Sequence, residues 1–237
     1  LHELGLPSHS PLGSLRYKKP IYEDPTRQAG KRDYVGGDSL RRIDWKASAA
    51  VGRLQVKQYE PSIALETAIF LNLNVDEYYY RWRFDATELA IVTAASIANW
   101  TISKKQSAGL FTNGQDALGK DEAAQPLVPR KGRAYLMRLL ETLARLKTSQ
   151  GMPLSRLLHT HRPRLSWGTT VILITGQAAD DLFDEFFQAQ RAGLDIVLIL
   201  CGEIMGLRDI HRRARRFGIP VYTVWSEQDL EAWQKQV

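Results

Sequence analysis

Arg32-Asp33-Tyr34-Val35-Gly36-Gly37-Asp38-Ser39-Leu40-Arg41-Arg42-Ile43-Asp44-Trp45-Lys46-Ala47-Ser48 sets charges of both signs, a large aromatic and a glycine pair into seventeen positions. No simple helix or strand pattern demands that density. Gly36-Gly37 signals a turn, because glycine reaches backbone angles closed to other residues. Asp38 or Ser39 can cap a following helix by accepting its orphan amide hydrogens. Leu40, Ile43 and Ala47 fall three to four apart and form one apolar stripe. Gly52 ends that helix, and Arg53 to Tyr59 alternates as a strand does.

Working outward, residues 1–30 carry prolines, glycines and turn formers without periodicity and predict an extended arm. Residues 31–62 form the block just quoted with its strand, expected to pack on the main domain as a unit. From residue 63 onward, strand and helix patterns alternate. Apolar runs at Leu65–Leu73, Ser107–Thr112, Thr169–Thr175, Leu194–Leu200 and Pro220–Val224 predict strands. Helical patterns lie at Ala86–Ser103, Leu136–Leu146, Leu154–Leu158, Asp180–Arg191, Gly206–Phe217 and Ser226–Lys235. Gly114–Gly132 reads as a polar loop. The fold class expected is α/β, a mostly parallel doubly wound sheet covered on both faces. Ligands of such sheets bind beyond the carboxyl ends of the strands, where strand order switches. The loops after Leu73, Thr112 and Thr175 are therefore the first places to look for function.

The quoted block resembles the signature of the bacterial "domain of unknown function 58" family. That signature runs Tyr-x-x-Gly-Asp-x-x-Arg-x-Ile-Asp-Trp-x-x-Ser-Ala, followed by a strand ending in Glu. Tyr34, Gly37, Asp38, Arg41, Ile43, Asp44, Trp45, Ser48, Ala49 and Glu60 match it. Residues 65–225 resemble the von Willebrand factor A-like domain that follows the signature in that family. The resemblance implies a membrane-tethered protein on the cytoplasmic face of the bacterial inner membrane. It also implies a MoxR-type AAA+ ATPase as partner, with a role in assembly or maturation of another complex. The chain opens at Leu1 rather than Met, so it is expected to be an excised or processed piece. On the resemblance, the transmembrane helices would lie in a segment absent from this chain.

A-like domains hold a divalent cation with an Asp-x-Ser-x-Ser loop, a Thr from a second loop and an Asp after a later strand. Hard cations want such oxygen ligands. Here the first loop reads Asn72-Leu73-Asn74-Val75-Asp76, the second Gly151-Met152-Pro153 and the third Thr175-Gly176-Gln177. Only Asp76 keeps a carboxylate. The site at Asn72, Asn74 and Asp76 is read as degenerate, with no metal and no cofactor expected.

The first loop continues Tyr78-Tyr79-Tyr80-Arg81-Trp82-Arg83-Phe84. Aromatics with arginine dominate protein interface hot spots. The same residues could stack nucleobases, or plug the end of the sheet with arginine stems packed on rings. Tyr78, Tyr79, Tyr80, Arg81, Trp82 and Arg83 are the candidate partner surface. In the signature block, Arg41, Arg42, Asp44 and Lys46 read either as a docking surface or as an ion-paired clip tying the arm to the A-like domain, with Trp45 as its apolar anchor.

Composition is that of an ordinary globular chain, 44% hydrophobic and 24% charged. A net charge of +6 favours acidic partners. Basic clusters lie at Arg16, Lys18 and Lys19, at Arg27, Lys31 and Arg32, at Arg41, Arg42 and Lys46, and at Arg208, Arg212, Arg213, Arg215 and Arg216. The single cysteine, Cys201, excludes an internal disulfide framework and a Cys-based zinc site. His159-Thr160-His161 lacks a third ligand candidate nearby. No dinucleotide fingerprint, P-loop or nucleophile elbow occurs. The expected function is non-enzymatic protein interaction. The alternative is a nucleic-acid-binding module using the basic clusters and the aromatic loop.

Overall fold

The computed structural model describes residues 23–35, 42–61, 66–119 and 123–230. The chain forms two compact units, residues 11–63 and a larger one from residue 64 onward.

In the smaller unit, β1 (Glu23–Asp33) pairs antiparallel with β2 (Gln55–Pro61), and α1 (Trp45–Val51) lies between them in sequence. Lys31 stands opposite Lys57, and Asp33 opposite Gln55. The irregular arm expected over residues 1–30 is corrected at its end, since Glu23 to Gly30 belong to β1; residues 1–22 lie outside the described ones. The helix start is also corrected. Gly36 to Arg41, with the expected caps Asp38 and Ser39, lie outside the described residues. Asp44 caps α1 instead, its carboxylate accepting from Ala47 N. Gly52 ends the helix as expected, with φ of 74° in the left-handed region.

The larger unit contains β3 (Glu66–Leu71), α2 (Arg83–Ser103), β4 (Ser107–Thr112), β5 (Gln115–Asp116), β6 (Leu127–Arg130), α3 (Arg133–Leu143), β7 (Leu146–Lys147) and α4 (Leu154–His161). It continues through β8 (Thr170–Thr175), α5 (Asp180–Arg191), β9 (Asp195–Cys201), α6 (Leu207–Arg216) and β10 (Val221–Val224). Six strands form one sheet in the order β10-β9-β8-β3-β4-β6, parallel except for β6. The loop expected over Gly114–Gly132 thus contains an edge strand. Pro129 suits that edge, where a missing amide hydrogen costs no central ladder bond. β6 passes so close to β4 that a Cβ on Gly109 would fall 2.7 Å from Leu127 O. Of the last predicted helix, only residues up to 230 are described.

Successive strand side chains point to opposite faces. Ile69, Leu71, Leu110, Ile172, Ile174 and Ile199 therefore pack under α2 and α3. Ala68, Phe70, Phe111, Leu173, Leu198 and Leu200 pack under α4, α5 and α6. Phe70 and Phe111 stack across β3 and β4 with centroids 4.8 Å apart. The continuous apolar runs of the strands follow from this two-sided cover. Among the described residues, no helix is long and apolar enough to cross a membrane.

The chain reaches β4 on one side of β3 and β8 on the other. Strand order therefore switches at β3, and the carboxyl ends of β3, β4 and β8 converge on one place.

Candidate functional site

Asn72 follows β3 and is buried among three loops. Its side-chain amide uses every hydrogen-bonding position it has. Nδ2 donates to Thr175 Oγ1 at 2.8 Å and to Glu77 Oε2 at 3.0 Å. Oδ1 accepts from Asn113 Nδ2 at 2.8 Å and from Asn74 N at 3.0 Å. Asn113, following β4, also donates to Met152 O at 2.7 Å and accepts from Leu73 N at 2.7 Å. The second loop is held by main chain as well, through Ser149 N to Leu73 O at 2.9 Å.

Asn74 caps a 3-10 turn, Val75–Glu77, by accepting from Asp76 N. The turn sends Asp76 to solvent and brings Glu77 inward. Glu77 Oε2 accepts from Leu154 N, the first residue of α4, at 3.0 Å. Pro153 precedes that helix and has no side-chain oxygen, so a distant carboxylate satisfies an orphan amide where the helix dipole favours negative charge. Burial nonetheless raises the Glu77 carboxyl above its ordinary pKa, outweighing the lowering by Leu154 N and Asn72.

Tyr78 is buried, with 3% of its surface exposed. Its hydroxyl donates to Asn72 O at 2.6 Å, and burial holds its pKa well above the ordinary value. Its ring packs against Gly176, where a Cβ would fall 2.3 Å from Tyr78 Cδ1. Tyr78 is thereby removed from the expected partner surface: it seals the strand end.

These residues do not fit the divalent cation that the A-like resemblance implies. The first-loop anchor is an amide whose lone pairs and hydrogens are all taken. Asp76, the one carboxylate kept in the sequence motif, is exposed. The third-loop anchor is Gly176, covered by a tyrosine ring. Glu77 reaches the place but is engaged by Leu154 N and Asn72. Among the described residues, no group of three His, Cys, Asp or Glu could hold a metal.

Beyond Tyr78 the loop turns outward. The Tyr79 and Tyr80 rings lie with centroids 5.0 Å apart and planes tilted by 59°, and Tyr80 is 69% exposed. Trp82 and Phe84 are also exposed, as is Arg81. The Arg83 guanidinium lies 5.2 Å from the Phe84 ring centre. The loop therefore divides between a plug and an open patch.

In the smaller unit, Asp44 is the hub of the signature. It pairs with Lys31 Nζ at 2.9 Å while capping α1, and its main-chain oxygen accepts from Ser48 Oγ at 2.7 Å. The Lys31 hydrogen bond lowers the Asp44 pKa most, with the Ala47 amide second. Ser48 Oγ in turn accepts from Gln55 N at 2.9 Å, joining α1 to β2. Asp33 binds Gln55 Nε2 and, at 3.1 Å, Arg53. Tyr34 N donates to Leu54 O. Trp45 does not anchor this unit: it is 67% exposed, while Ile43 and Val56 are buried and bridge each other. The helix starts one residue later than Asp44, and that phase turns position 45 outward. Gly37, Asp38 and Arg41 lie outside the described residues, and Arg42 is exposed.

His159 pairs with Glu185 at 3.0 Å, while the His161 ring lies 5.2 Å from the Phe111 ring. Cys201 is buried, with its thiol pushed up to about 12 by desolvation, and Thr93 Oγ1 lies 3.7 Å away. On α6, Arg212 pairs with Asp209, and Arg213 pairs with Asp180 and lies over Phe183.

Asn113 went unnoticed in the sequence, while Glu77 and Thr175 stand in the first and third loops without their part in this network being legible there. One signal was available: both central strands close on an aromatic followed two residues later by asparagine, Phe70-Leu71-Asn72 and Phe111-Thr112-Asn113.

Comparison with solved structures supports the fold. A von Willebrand factor type A protein from Catenulispora acidiphila superposes with a TM-score of 0.52 at 14% identity, covering 76% of this chain and 43% of that one. An aerotolerance-related membrane protein from Bacteroides fragilis NCTC 9343, carrying multiple mutations to serines, gives 0.52 at 9% identity over 72% of this chain and 97% of that one. Proximal thread matrix protein 1 from the mussel byssus gives 0.51 at 13%, covering 74% and 47%. By sequence, "Uncharacterized protein YeaD" of Bacillus subtilis (strain 168) is 26% identical over 187 residues, 78% of this chain and 42% of the relative. The chain thus spans less than half of that relative's length. With the signature block, the A-like sheet and a family model matching residues 30–203 in agreement, the chain belongs to the family described as "Protein of unknown function DUF58".

Proposed function

We propose that this chain is a non-enzymatic protein-interaction domain of a membrane-tethered bacterial protein, facing the cytoplasm. Its partner is a MoxR-type AAA+ ATPase, with which it works in assembling or maturing another complex. The observation that carries the reading is the open patch of Tyr80, Trp82 and Phe84 beside a strand-end network whose central amide, Asn72, has no hydrogen-bonding capacity to spare. Exposed aromatics with arginine suit a protein hot spot. The Bacteroides protein of similar fold is a membrane protein, which supports the tether. Family membership supports the partner only through the resemblance noted above. The nucleic-acid reading is weakened by acids that already pair with Arg212 and Arg213.

The test is capture from the native bacterium with the whole tethered protein as bait. Wild type should retain the ATPase. A triple variant, Tyr80→Ser, Arg81→Ser and Trp82→Ser, should lose it with its melting temperature nearly unchanged. Capture that survives the triple variant overturns the reading. Nucleic acid held through moderate salt favours the alternative, because non-specific phosphate contacts weaken steeply as salt rises.

A further inference from the structure

A cleft of about 430 Å³ opens beside the aromatic patch, at the far edge of the sheet from the asparagine network. Trp82, Asp85, Ala86, Gly202, Glu203 and Trp225 line it. Three elements build it. β9 ends at Cys201 and β10 at Val224, so residues 202–203 and 225 lie at adjacent strand ends. The first turn of α2 supplies Asp85 and Ala86. Gly202, with φ of 83°, lets that turn come close: a Cβ there would fall 2.6 Å from Ala86 Cβ. Trp225 is set by the turn that follows it, in which its amide and that of Ser226 donate to Asp229 Oδ2 at 2.8 and 3.0 Å.

We propose that this cleft takes an arginine side chain of the partner protein, a reading that rests on the interaction function above. The chain as a whole carries net charge +6, yet the lining holds two carboxylates and no base. Neither carboxylate is paired with a base among the described residues, and Arg83, next to Trp82, is turned over Phe84. Both indoles are exposed where apolar surface would ordinarily be covered. Tryptophan offers the best face for a cation, and a guanidinium can stack on a ring while its edge donates to carboxylates. A lysine ammonium could pair with the acids but cannot stack as a plane. An acidic or purely apolar group would leave both carboxylates uncompensated.

The test uses acetyl-Gly-Gly-Arg-Gly-Gly-amide and its neutral isostere with citrulline in place of arginine. Binding to the intact chain is followed by the indole N–H signals, assigned by their disappearance in Trp82→Phe and Trp225→Phe. The arginine peptide should shift both signals and the citrulline peptide neither. Joint Asp85→Asn and Glu203→Gln should weaken arginine binding about ten-fold while the melting temperature holds. Equal shifts from the two peptides, or unchanged affinity in the neutralised variant, overturn the proposal. Partner capture is read separately. Capture that requires Tyr80 and Trp82 but not Asp85 and Glu203 overturns the cleft and leaves the interaction surface standing.

Discussion

The Tyr78 ring occupies the space that a side chain on Gly176 would need, with only 2.3 Å between Tyr78 Cδ1 and a Cβ built there. Gly176 stands where an A-like domain keeps its third-loop carboxylate. One aromatic from the first loop thus closes the site from the third. The tyrosine hydroxyl, bonded to Asn72 O, ties the plug to the network beneath it.

Gly176→Ala should therefore destabilise the larger unit by about 1–3 kcal/mol, the usual cost of overpacking a filled interior. Denaturant midpoints of the two proteins measure it. An unchanged midpoint would mean that the ring moves aside freely.

Glu77 makes stability depend on pH with a definite sign. Burial raises its folded-state pKa above the ordinary 4.5. Between the unfolded and folded values the folded protein binds more protons than the unfolded one. The contribution is thus fully present below about pH 4.5 and is lost as pH rises through the folded value. Glu77→Gln, which keeps an acceptor for Leu154 N, should gain stability relative to wild type as pH rises through that window. Parallel denaturation curves at each pH check this, and a constant difference between them would refute it.

Magnesium or manganese at sub-millimolar concentration should give no calorimetric binding, and EDTA should not move the melting temperature. The reason is the engaged state of Asn72 and Glu77. A cation seated among Asn72, Asn74 and Glu77 with oxygens at about 2.0–2.6 Å would overturn this.

In the smaller unit, Ile43→Ala should cost about 2–4 kcal/mol by opening a cavity against Val56. Trp45→Ala should stay within about 0.5 kcal/mol, as surface changes do. Both are read from the denaturation of that unit. The reverse order would restore Trp45 as its anchor.

Much of the fold was legible because burial period is a local property. Asp180–Arg191 shows its helical stripe in the sequence, and the structure gives α5 those same bounds. β6 was not legible, since its short run with Pro129 becomes a strand only through the open edge of β4. The cap of α1 was misplaced because Asp38, Ser39 and Asp44 are chemically equivalent candidates. Lys31 and Ser48 select Asp44 by reaching it in space.

The sequence by itself determined the alternation of apolar strands and amphipathic helices, the signature block, and the absence of the A-like Asp and Ser ligands. Each of these is written in neighbouring residues. Tertiary structure alone decided what replaces the metal ligands. Asn72 meets Asn113 across 41 positions and Thr175 across 103, and the contacts exist only once β3, β4 and β8 lie side by side. It alone decided which aromatic of residues 78–84 turns inward, because the Tyr78 ring is held over Gly176 by contacts with a loop about a hundred positions away. Whether a buried polar group is satisfied depends on partners brought from elsewhere in the chain, and no local pattern encodes that.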